Sequence, residues 1–336
     1  MATLGDVAAR AGVSVSAVSR VLSNHPSARV SPGTRERIVV AARELDYRPN
    51  FAGRALKSAR TNVIGLVMPD LTNALFTDLI DGAEDEVRDH GYMLLLGRSD
   101  AVRAGGDVIG RLIGEGRVDG VMVQLGDAVK PAALRTLFTA GSPVTMINAR
   151  QDGHVGSVVL DDAVGARVAT QHLLDLGHQR IGAITGLPAT FTAQRRLQGF
   201  RATMRAAGLR VDPAHVSKLG YLPHQGRAAM RRIMGAPTPP TAVMVANVNA
   251  AIGALAEARA MGLRVPDDLS MVSVHDSWTA ENTWPPLTTV KMPFYELGRT
   301  AVRGMIQRLQ EGSGVDAVVT EPPPRLIVRE STRRPR

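Results

Sequence analysis

The chain has 336 residues with no cysteine, and 44% of them are hydrophobic and 21% are charged. This length exceeds what one hydrophobic core usually serves, so we expect more than one globular domain, and we exclude disulfides, thiolate zinc sites and cysteine nucleophiles. The net charge is +9, and residues 1–60 hold 10 Lys and Arg against 4 Asp and Glu, which is typical of a module that binds a polyanion or of a merely solvated basic surface.

Three short helices are predicted in the first fifty residues. Thr3 can cap a helix that ends at Gly12, and Ser14 can cap a second helix. Ser31 followed by Pro32 predicts the start of a third. Apolar residues recur at helical spacing and would form a shared core: Leu4, Val7, Ala8, Ala11, Val18, Val21, Leu22, Ile38, Ala42 and Leu45. The first two helices form a helix-turn-helix pattern.

The exposed side of the second helix is predicted to read DNA bases. It carries Val15, Ser16, Ser19 and Arg20. The Arg20 guanidinium matches the O6 and N7 acceptors of guanine in the major groove. Phosphates would be contacted by hydroxyl and basic groups at the helix starts: Thr3, Ser14, Ser31, Thr34 and Arg35. A structural or protein-binding role for the three helices is the alternative.

Four segments carry a resemblance to the lactose-repressor (LacI/GalR) family of bacterial transcription regulators. They are Thr3-Leu-Gly-Asp-Val-Ala8, Ala11-Gly-Val-Ser14, Val18-Ser-Arg-Val21 and Tyr47-Arg-Pro-Asn50. The resemblance implies that the residues after Asn50 form a hinge helix on operator DNA. It also implies DNA contacts by Asn50 and Arg54, and a minor-groove wedge at Leu56 that partly unstacks a base step. A leucine buried in a linker is the alternative for Leu56.

The hinge is predicted to be only marginally helical. Residues 50–58 are fewer than the roughly 12–15 that an isolated helix needs in water, so we expect order there only on DNA. Gly53 stands where the family commonly has Ala, and Gly costs a helix interior about 1 kcal/mol relative to Ala.

We therefore expect Gly53→Ala to tighten operator binding and to make release by an effector harder. Operator titrations at matched salt concentration check this, and an unchanged affinity would contradict it.

Beyond residue 61, continuous apolar runs alternate with helical stretches, which predicts two similar α/β lobes with buried parallel sheets. The predicted strands are Val63–Met68, Tyr92–Leu96, Gly120–Gln124, Val144–Ile147, Val158–Leu160, Ile181–Thr185, Val243–Ala246 and Met271–Val274. Further family segments lie in this part: Leu173–His178, Arg196–Phe200, Pro240–Val243, Gly262–Pro266 and Pro286–Thr289. The resemblance therefore implies an all-α helix-turn-helix headpiece joined to a two-lobed α/β effector domain like a type I periplasmic binding protein.

The expected boundaries follow from this division. The helix-turn-helix domain would cover residues 1–49, the hinge 50–60, and the effector-binding and dimerisation domain 61–336. The first lobe would contain about residues 61–159 and 291–322, and the second about 160–290 and 323–330.

The effector pocket is expected between the lobes, beyond the carboxyl ends of the strands. The resemblance implies effector contacts by Arg196, Asn247 and Asp276, whose groups suit a polyol. Tyr221 could stack on a sugar face. The other lobe would add Asn73, Phe76, Leu79 and Asn148, although apolar residues at helical spacing are more often core.

The sequence departs from the family pattern at this pocket. Val248 and Asn148 replace common Asp residues, His275 replaces an aromatic residue, and Ala74-Leu75 replaces Pro-Phe. The lost carboxylates indicate an effector with fewer hydroxyls, or one whose charge Arg196 could pair.

No catalytic, metal or cofactor motif is found. The glycines at 105–110 lack a nucleotide-binding spacing, no Gly-x-Ser-x-Gly elbow occurs, and His172 and His178 lack zincin spacing. The absence of a signal peptide and of a membrane-length apolar run predicts a cytoplasmic protein rather than a transport receptor. A sugar-processing enzyme would need a base or nucleophile that the sequence does not offer.

We expect a homodimer that binds a near-palindromic operator while a small effector, a sugar or related molecule, controls it through lobe closure. A purine-type corepressor of opposite sign is the alternative. The C-terminus carries no leucine heptads, so a dimer is preferred over a tetramer.

Overall fold

The computed structural model describes residues 2–23, 29–48, 60–98, 108–126, 143–150 and 156–336. Contacts between Cα atoms divide the chain into two units, Met1–Thr61 and Asn62–Arg336. We call the first unit the headpiece and the second the body.

The headpiece contains the three predicted helices: α1 (Leu4–Ala11), α2 (Val15–Leu22) and α3 (Pro32–Glu44). The predicted caps are confirmed, because Thr3, Ser14 and Ser31 each accept a hydrogen bond from a backbone N–H of the first turn. Gly12 ends α1 with a φ of 64°, the left-handed conformation that favours glycine. The apolar faces meet in one small core around three fully buried residues: Val7, Val18 and Ile38.

The body contains two sheets, each of six strands among the described residues. The strands are β1 (Val63–Met68), β2 (Met93–Arg98), β3 (Gly120–Gln124), β4 (Val144–Ile147), β5 (Gly156–Leu160), β6 (Ile181–Ile184), β7 (Val216–Ser217), β8 (Ala242–Val245), β9 (Ser270–Val274), β10 (Thr288–Lys291), β11 (Asp316–Val319) and β12 (Arg325–Ile327). The strand orders are β11-β5-β4-β3-β1-β2 and β12-β10-β9-β8-β6-β7, and only the pairing of β10 with β12 is antiparallel. We call the layers built on these sheets the first and second lobes.

Each sheet receives an edge strand from the C-terminal part of the chain. The chain passes from the first sheet to the second after β5, returns after β10, and passes again after β11. Both lobes are therefore discontinuous in sequence.

Helices cover both sheets. Those of the body are α4 (Thr77–Asp89), α5 (Val108–Gly114), α6 (Asp162–Asp175), α7 (Phe191–Ala206), α8 (Pro223–Met234), α9 (Val248–Ala260), α10 (Trp278–Glu281) and α11 (Phe294–Glu311). Helix α4 packs on α11, α6 on α7, and α8 on α9. Because the linked strands are parallel, their carboxyl ends lie on one edge of each sheet and position the loops that follow.

The crossing of α4 and α11 depends on two glycines. A Cβ built at Gly82 of α4 would collide with the carbonyl oxygen of Tyr295, and one built at Gly298 of α11 would collide with that of Leu79. The two backbones therefore approach more closely than any larger residue permits.

A buried carboxylate holds the same helix pair one turn further on. Glu86 is 3% exposed and accepts hydrogen bonds from Arg299 Nε at 2.6 Å and from Arg303 Nε at 2.9 Å. Burial opposes ionisation of Glu86, but the hydrogen bonds from Arg303 and Arg299 outweigh it and lower the pKa of the carboxyl. The sequence pattern is therefore Gly-x-x-x-Glu on α4, which faces Gly-Arg-x-x-x-Arg on α11.

The second lobe repeats this pattern between α9 and α8. Gly253 and Gly226 each lie so close to the facing helix that a Cβ would collide with a backbone carbonyl. Glu257, 4% exposed, pairs with Arg227 Nη1 at 3.5 Å and with Arg231 Nε at 2.8 Å. Each lobe thus has one helix pair locked by the same motif, which the sequence alone did not reveal to us.

The C-terminal segment after β12 is bound to the second lobe. Ser331 is fully buried, and its hydroxyl donates to the Met271 carbonyl at 2.6 Å and accepts from the Thr288 N–H at 2.7 Å. The hydroxyl of Ser270 donates to the Arg333 carbonyl at 3.1 Å. This segment therefore provides hydrogen-bond partners for the first residues of β9.

Two histidines contact this segment through their Nε2 atoms. His178 Nε2 lies 2.9 Å from the Arg333 carbonyl, and His172 Nε2 lies 2.9 Å from the Thr332 hydroxyl. Burial lowers the pKa of both imidazoles below the ordinary value of 6.5. Below pH 6.5 these histidines therefore bind protons more readily in the unfolded chain than in the folded chain. Their contribution to the free energy of unfolding is fully present above pH 6.5 and is lost as the pH falls below it.

We expect the urea concentration at the unfolding midpoint of the full chain to decrease when the pH is lowered from about 7.5 to about 5.5. The decrease should be smaller in His178→Gln, whose amide can still donate to the Arg333 carbonyl but does not titrate. An identical decrease in the variant would assign the acid sensitivity to other groups.

Candidate functional site

The headpiece presents three helix starts with their caps in place. Ser14 Oγ accepts the Ala17 N–H at 3.2 Å, and Ser31 Oγ accepts the Thr34 N–H at 3.2 Å. At the start of α1, the Thr3 backbone N–H donates to the Asp6 carboxylate at 2.8 Å, which together with the Thr3 hydroxyl lowers the pKa of Asp6. Capped helix starts with hydroxyl groups are suited to phosphate oxygens.

The predicted reading face of α2 is only partly as expected. Val15 is 48% exposed and Ser16 and Arg20 are exposed, whereas Ser19 is half-buried because it lies nearer the core. Arg20 lies along its own helix, with Nε donating to the Ser16 carbonyl at 3.2 Å. These contacts are with exposed groups of the same helix, so the guanidinium can exchange them for a base edge.

Other predicted DNA contacts are less exposed or lie elsewhere. Thr34 and Arg35 are half-buried at the start of α3. Asn50, Arg54 and Leu56 lie outside the described residues, so the hinge contacts remain predictions.

In the body, buried unpaired polar atoms lie at the carboxyl ends of strands. Among the residues that the structure describes, four buried side-chain atoms have no hydrogen-bond partner. They are Gln124 Oε1 at the end of β3, Asp162 Oδ2 just after β5, Ser217 Oγ at the end of β7 and His275 Nδ1 just after β9. Buried polar atoms normally find partners, so their concentration here marks this edge of the sheets as a candidate binding edge.

Arg196 is the centre of the polar network at this edge. It is 3% exposed, and its Nε donates to Asp162 Oδ1 at 2.7 Å. Its Nη1 donates to the Ala246 carbonyl at 2.7 Å and its Nη2 to His275 Nε2 at 2.9 Å. Asp162 is fully buried, and burial raises the pKa of its carboxyl against the opposing effect of the guanidinium. An effector charge paired by Arg196 was one of two alternatives that the sequence left open, but all three nitrogens already donate to protein groups.

His275 connects this network to the first lobe. Burial and the nearby Arg196 hold its pKa well below the usual range, so the ring is neutral and accepts through Nε2. Its φ is 73°, a left-handed conformation that is costly for a residue with a side chain. The ring packs edge-to-face on Phe294, the first residue of α11, with centroids 5.0 Å apart.

Asp276 and Asn247 are also engaged by the protein. Asp276 Oδ1 accepts from Thr289 Oγ1 at 2.6 Å and from Arg329 Nη1 at 2.8 Å. Asn247 Oδ1 caps α9 by accepting the Asn249 N–H at 2.7 Å. The Asp276 carboxylate, predicted to contact the effector, thus forms an ion pair with Arg329, and both side chains are 15% exposed.

Tyr221 lies beside Arg196. The Arg196 guanidinium carbon is 5.3 Å from the centre of the Tyr221 ring. The ring also packs so closely on Gly186 that a Cβ there would collide with it. Part of the surface expected to stack on a sugar is therefore covered by protein.

Of the effector contacts predicted in the first lobe, two residues bond to backbone groups and two lie in the hydrophobic core. Asn148 has a φ of 51° and its Oδ1 accepts the Leu160 N–H at 3.1 Å, so it joins the ends of β4 and β5. Asn73 Oδ1 accepts the Leu75 N–H at 3.1 Å. Phe76 and Leu79 are 4% and 0% exposed and belong to the hydrophobic core, the alternative that apolar residues at helical spacing favour.

Sequence reasoning missed Asp162 and Arg329 as partners of the predicted residues. Asp162 is the second residue after β5, so the rule that ligands lie beyond strand ends could have identified it. Arg329 is 53 residues from Asp276 in sequence, and no local pattern marks the pair.

Comparisons with known proteins cover the whole chain. Residues 3–50 match the model of bacterial regulatory proteins of the lacI family, and residues 170–332 match a periplasmic binding protein-like domain. The HTH-type transcriptional repressor CytR of Escherichia coli strain K12 is 34% identical over 99% of this chain and 96% of its own length. The chain belongs to the lacI family of bacterial regulatory proteins.

Solved structures of lacI-family regulators agree with this. A complex of the transcriptional regulator CelR with cellobiose is 32% identical, with 98% of this chain and 100% of that chain covered and a TM-score of 0.71. A Lac repressor dimer bound to operator and the anti-inducer ONPF is 27% identical over 99% of both chains, with a TM-score of 0.81. The protein is a DNA-binding transcription regulator with a two-lobed body of the periplasmic binding protein type.

In the described parts of the chain, no helix is long and apolar enough to cross a membrane. No group of three or more His, Asp or Glu side chains there is arranged to hold a metal ion.

Proposed function

We propose that the protein is a repressor that binds a near-palindromic operator as a homodimer and releases it when a small molecule occupies the body. The observation that carries this proposal is the capped, exposed α2 in a chain that matches lacI-family repressors over 99% of its length. The Lac repressor in the solved complex is a dimer on its operator, and a two-fold protein requires a two-fold site.

The effector site that we propose lies beyond the carboxyl ends of the strands, between the lobes. The unpaired atoms near Arg196 and the polar groups of Asn247, Asp276 and Asn148 support this location. The cellobiose complex of CelR supports a sugar or a related hydrogen-bonding molecule. Lobe closure on such a ligand would change the spacing of the two headpieces, which couples effector binding to DNA binding. A corepressor that favours the DNA-bound state is the second candidate.

The protein acts without catalysis and works in the cytoplasm, where operator DNA is found. The Arg196 network supports a binding role, because its guanidinium and imidazole hold each other and Asp162 in place rather than standing as a free base or nucleophile.

The test of the reading face compares two variants that each remove one positive charge from the headpiece. We expect Arg20→Ala to lose about 1–3 kcal/mol of operator binding and to relax the base preference at one position of each half-site. Arg37→Ala on α3 should weaken binding to operator and random DNA equally. Competition titrations at fixed salt measure both. Equal loss of operator preference in the two variants would contradict the assignment of Arg20.

A further inference from the structure

The ionic groups at the proposed effector site are already paired within the protein. At the carboxyl ends of the strands, Arg196 pairs with Asp162 at 2.7 Å, and Arg329 pairs with Asp276 at 2.8 Å. The side chains of the first pair are 3% and 0% exposed, and those of the second are both 15% exposed. Each pair contains one cation and one anion, so neither offers net charge to a ligand.

A third ion pair and the surrounding groups also leave the site without a buried net charge. Arg195 and Asp161 lie 3.5 Å apart and are 38% and 31% exposed. Of the other described charges that follow these strands, Arg150 and Lys218 are exposed, and the half-buried Asp70 would repel an anion. Solvent screens exposed charges, so the buried pairs determine which ligand charge the site accepts.

The unpaired buried atoms have the opposite character, because they offer hydrogen bonds without net charge. Gln124 Oε1 is a neutral acceptor and the Ser217 hydroxyl can donate or accept. His275 accepts through Nε2, so its Nδ1 carries the proton and is a neutral donor. Asp162 Oδ2 is an acceptor whose charge Arg196 already balances.

We infer that the effector of this protein is an uncharged molecule with several hydrogen-bonding groups, and that a phosphate or carboxylate on the same scaffold excludes it. This inference rests on the proposed effector site. A charged group that entered the site would lose its hydration and find no unpaired buried counter-charge among the described residues, which is a large cost. A neutral polyol or nucleoside would lose only hydrogen bonds with water that the site can replace.

The first experiment compares matched neutral and charged ligands on the full-length chain: ribose with ribose 5-phosphate, glucose with glucose 6-phosphate, adenosine with AMP, and cellobiose with cellobionate. Thermal shift at constant ionic strength gives the affinities, and operator release follows for each ligand that binds. In any pair that binds, we expect the uncharged member to bind about tenfold or more tightly. A charged member that binds equally or more tightly would overturn the inference.

The second experiment needs no identified effector and uses inorganic phosphate as the probe. Asp162→Asn leaves the Arg196 charge unbalanced, so phosphate should raise the Tm of this variant by about 2 °C or more relative to chloride at equal ionic strength. Asp276→Asn, at the more exposed pair, should do the same through Arg329 and serves if the first variant does not fold. Wild type and Asp161→Asn, the matched exposed control, keep the same basic headpiece and should show only the smaller phosphate shift that is common to all variants.

Phosphate that stabilises the wild type as strongly as the two variants would overturn the inference. A phosphorylated ligand that releases operator would do so too, while the proposed repressor function would stand. If the full-length chain bound no operator more tightly than random DNA, the proposed function would be contradicted. The phosphate-induced change in Tm would still show whether the site offers an unpaired positive charge.

Discussion

Arg196→Met should destabilise the body by about 3–5 kcal/mol, because it leaves the fully buried Asp162 carboxylate without its partner. The variant also removes the donors to the Ala246 carbonyl and to His275 Nε2, both of which then lack a partner seen in the wild type. Urea unfolding of the full-length chain, followed by a probe of the body, measures the loss.

The same helix provides the matched control. Arg195 also pairs with an aspartate, Asp161, but at 3.5 Å and with both side chains about a third exposed. Arg195→Met should therefore cost no more than about 1 kcal/mol. Equal losses in the two variants would mean that burial does not strengthen the dependence of Asp162 on Arg196.

Gly298→Ala should destabilise the first lobe by about 1–3 kcal/mol, although Ala is the better helix former. The added Cβ would collide with the backbone carbonyl of Leu79 on α4, and a backbone atom cannot rotate away as a flexible side chain can. The helices must separate, which also weakens the hydrogen bonds from Arg299 and Arg303 to Glu86.

Gly304→Ala on the same helix should have the opposite sign. A Cβ at that position meets its nearest neighbour, Val315 Cβ, at 3.7 Å, which is an ordinary contact. The substitution should stabilise α11 by about 0.5–1 kcal/mol. Thermal and urea unfolding of both variants give the comparison. A stabilising Gly298→Ala would show that the crossing of α4 and α11 tolerates separation.

Local features of this chain were predictable, and distant pairings were not. The caps Thr3, Ser14 and Ser31 were found because a cap is defined by its neighbours three residues away. Strands such as β1 and β3 were found because buried parallel strands are continuous apolar runs. The strands β7, β10, β11 and β12 were not predicted, since each is two to four residues long and β11 and β12 are partly exposed edge strands.

The candidate effector site shows the same division. The positions of Arg196, Asn247 and Asp276 beyond strand ends follow from the α/β pattern, but their partners do not. Asp162 is 34 residues before Arg196, and the packing of α6 on α7 brings them together. The partners of these charged groups could not be predicted, since sequence spacing carries no information about which charges neutralise each other across elements.

The two sheets are completed by β11 and β12, and the segment ending at Arg336 closes the second. During synthesis, neither lobe can therefore reach its final form until its edge strand, β11 or β12, has left the ribosome exit tunnel. A premature stop that removes as few as the residues after 315 would leave two incomplete sheets with open edges beside an intact headpiece, a product suited to aggregation or proteolysis rather than to regulated DNA binding.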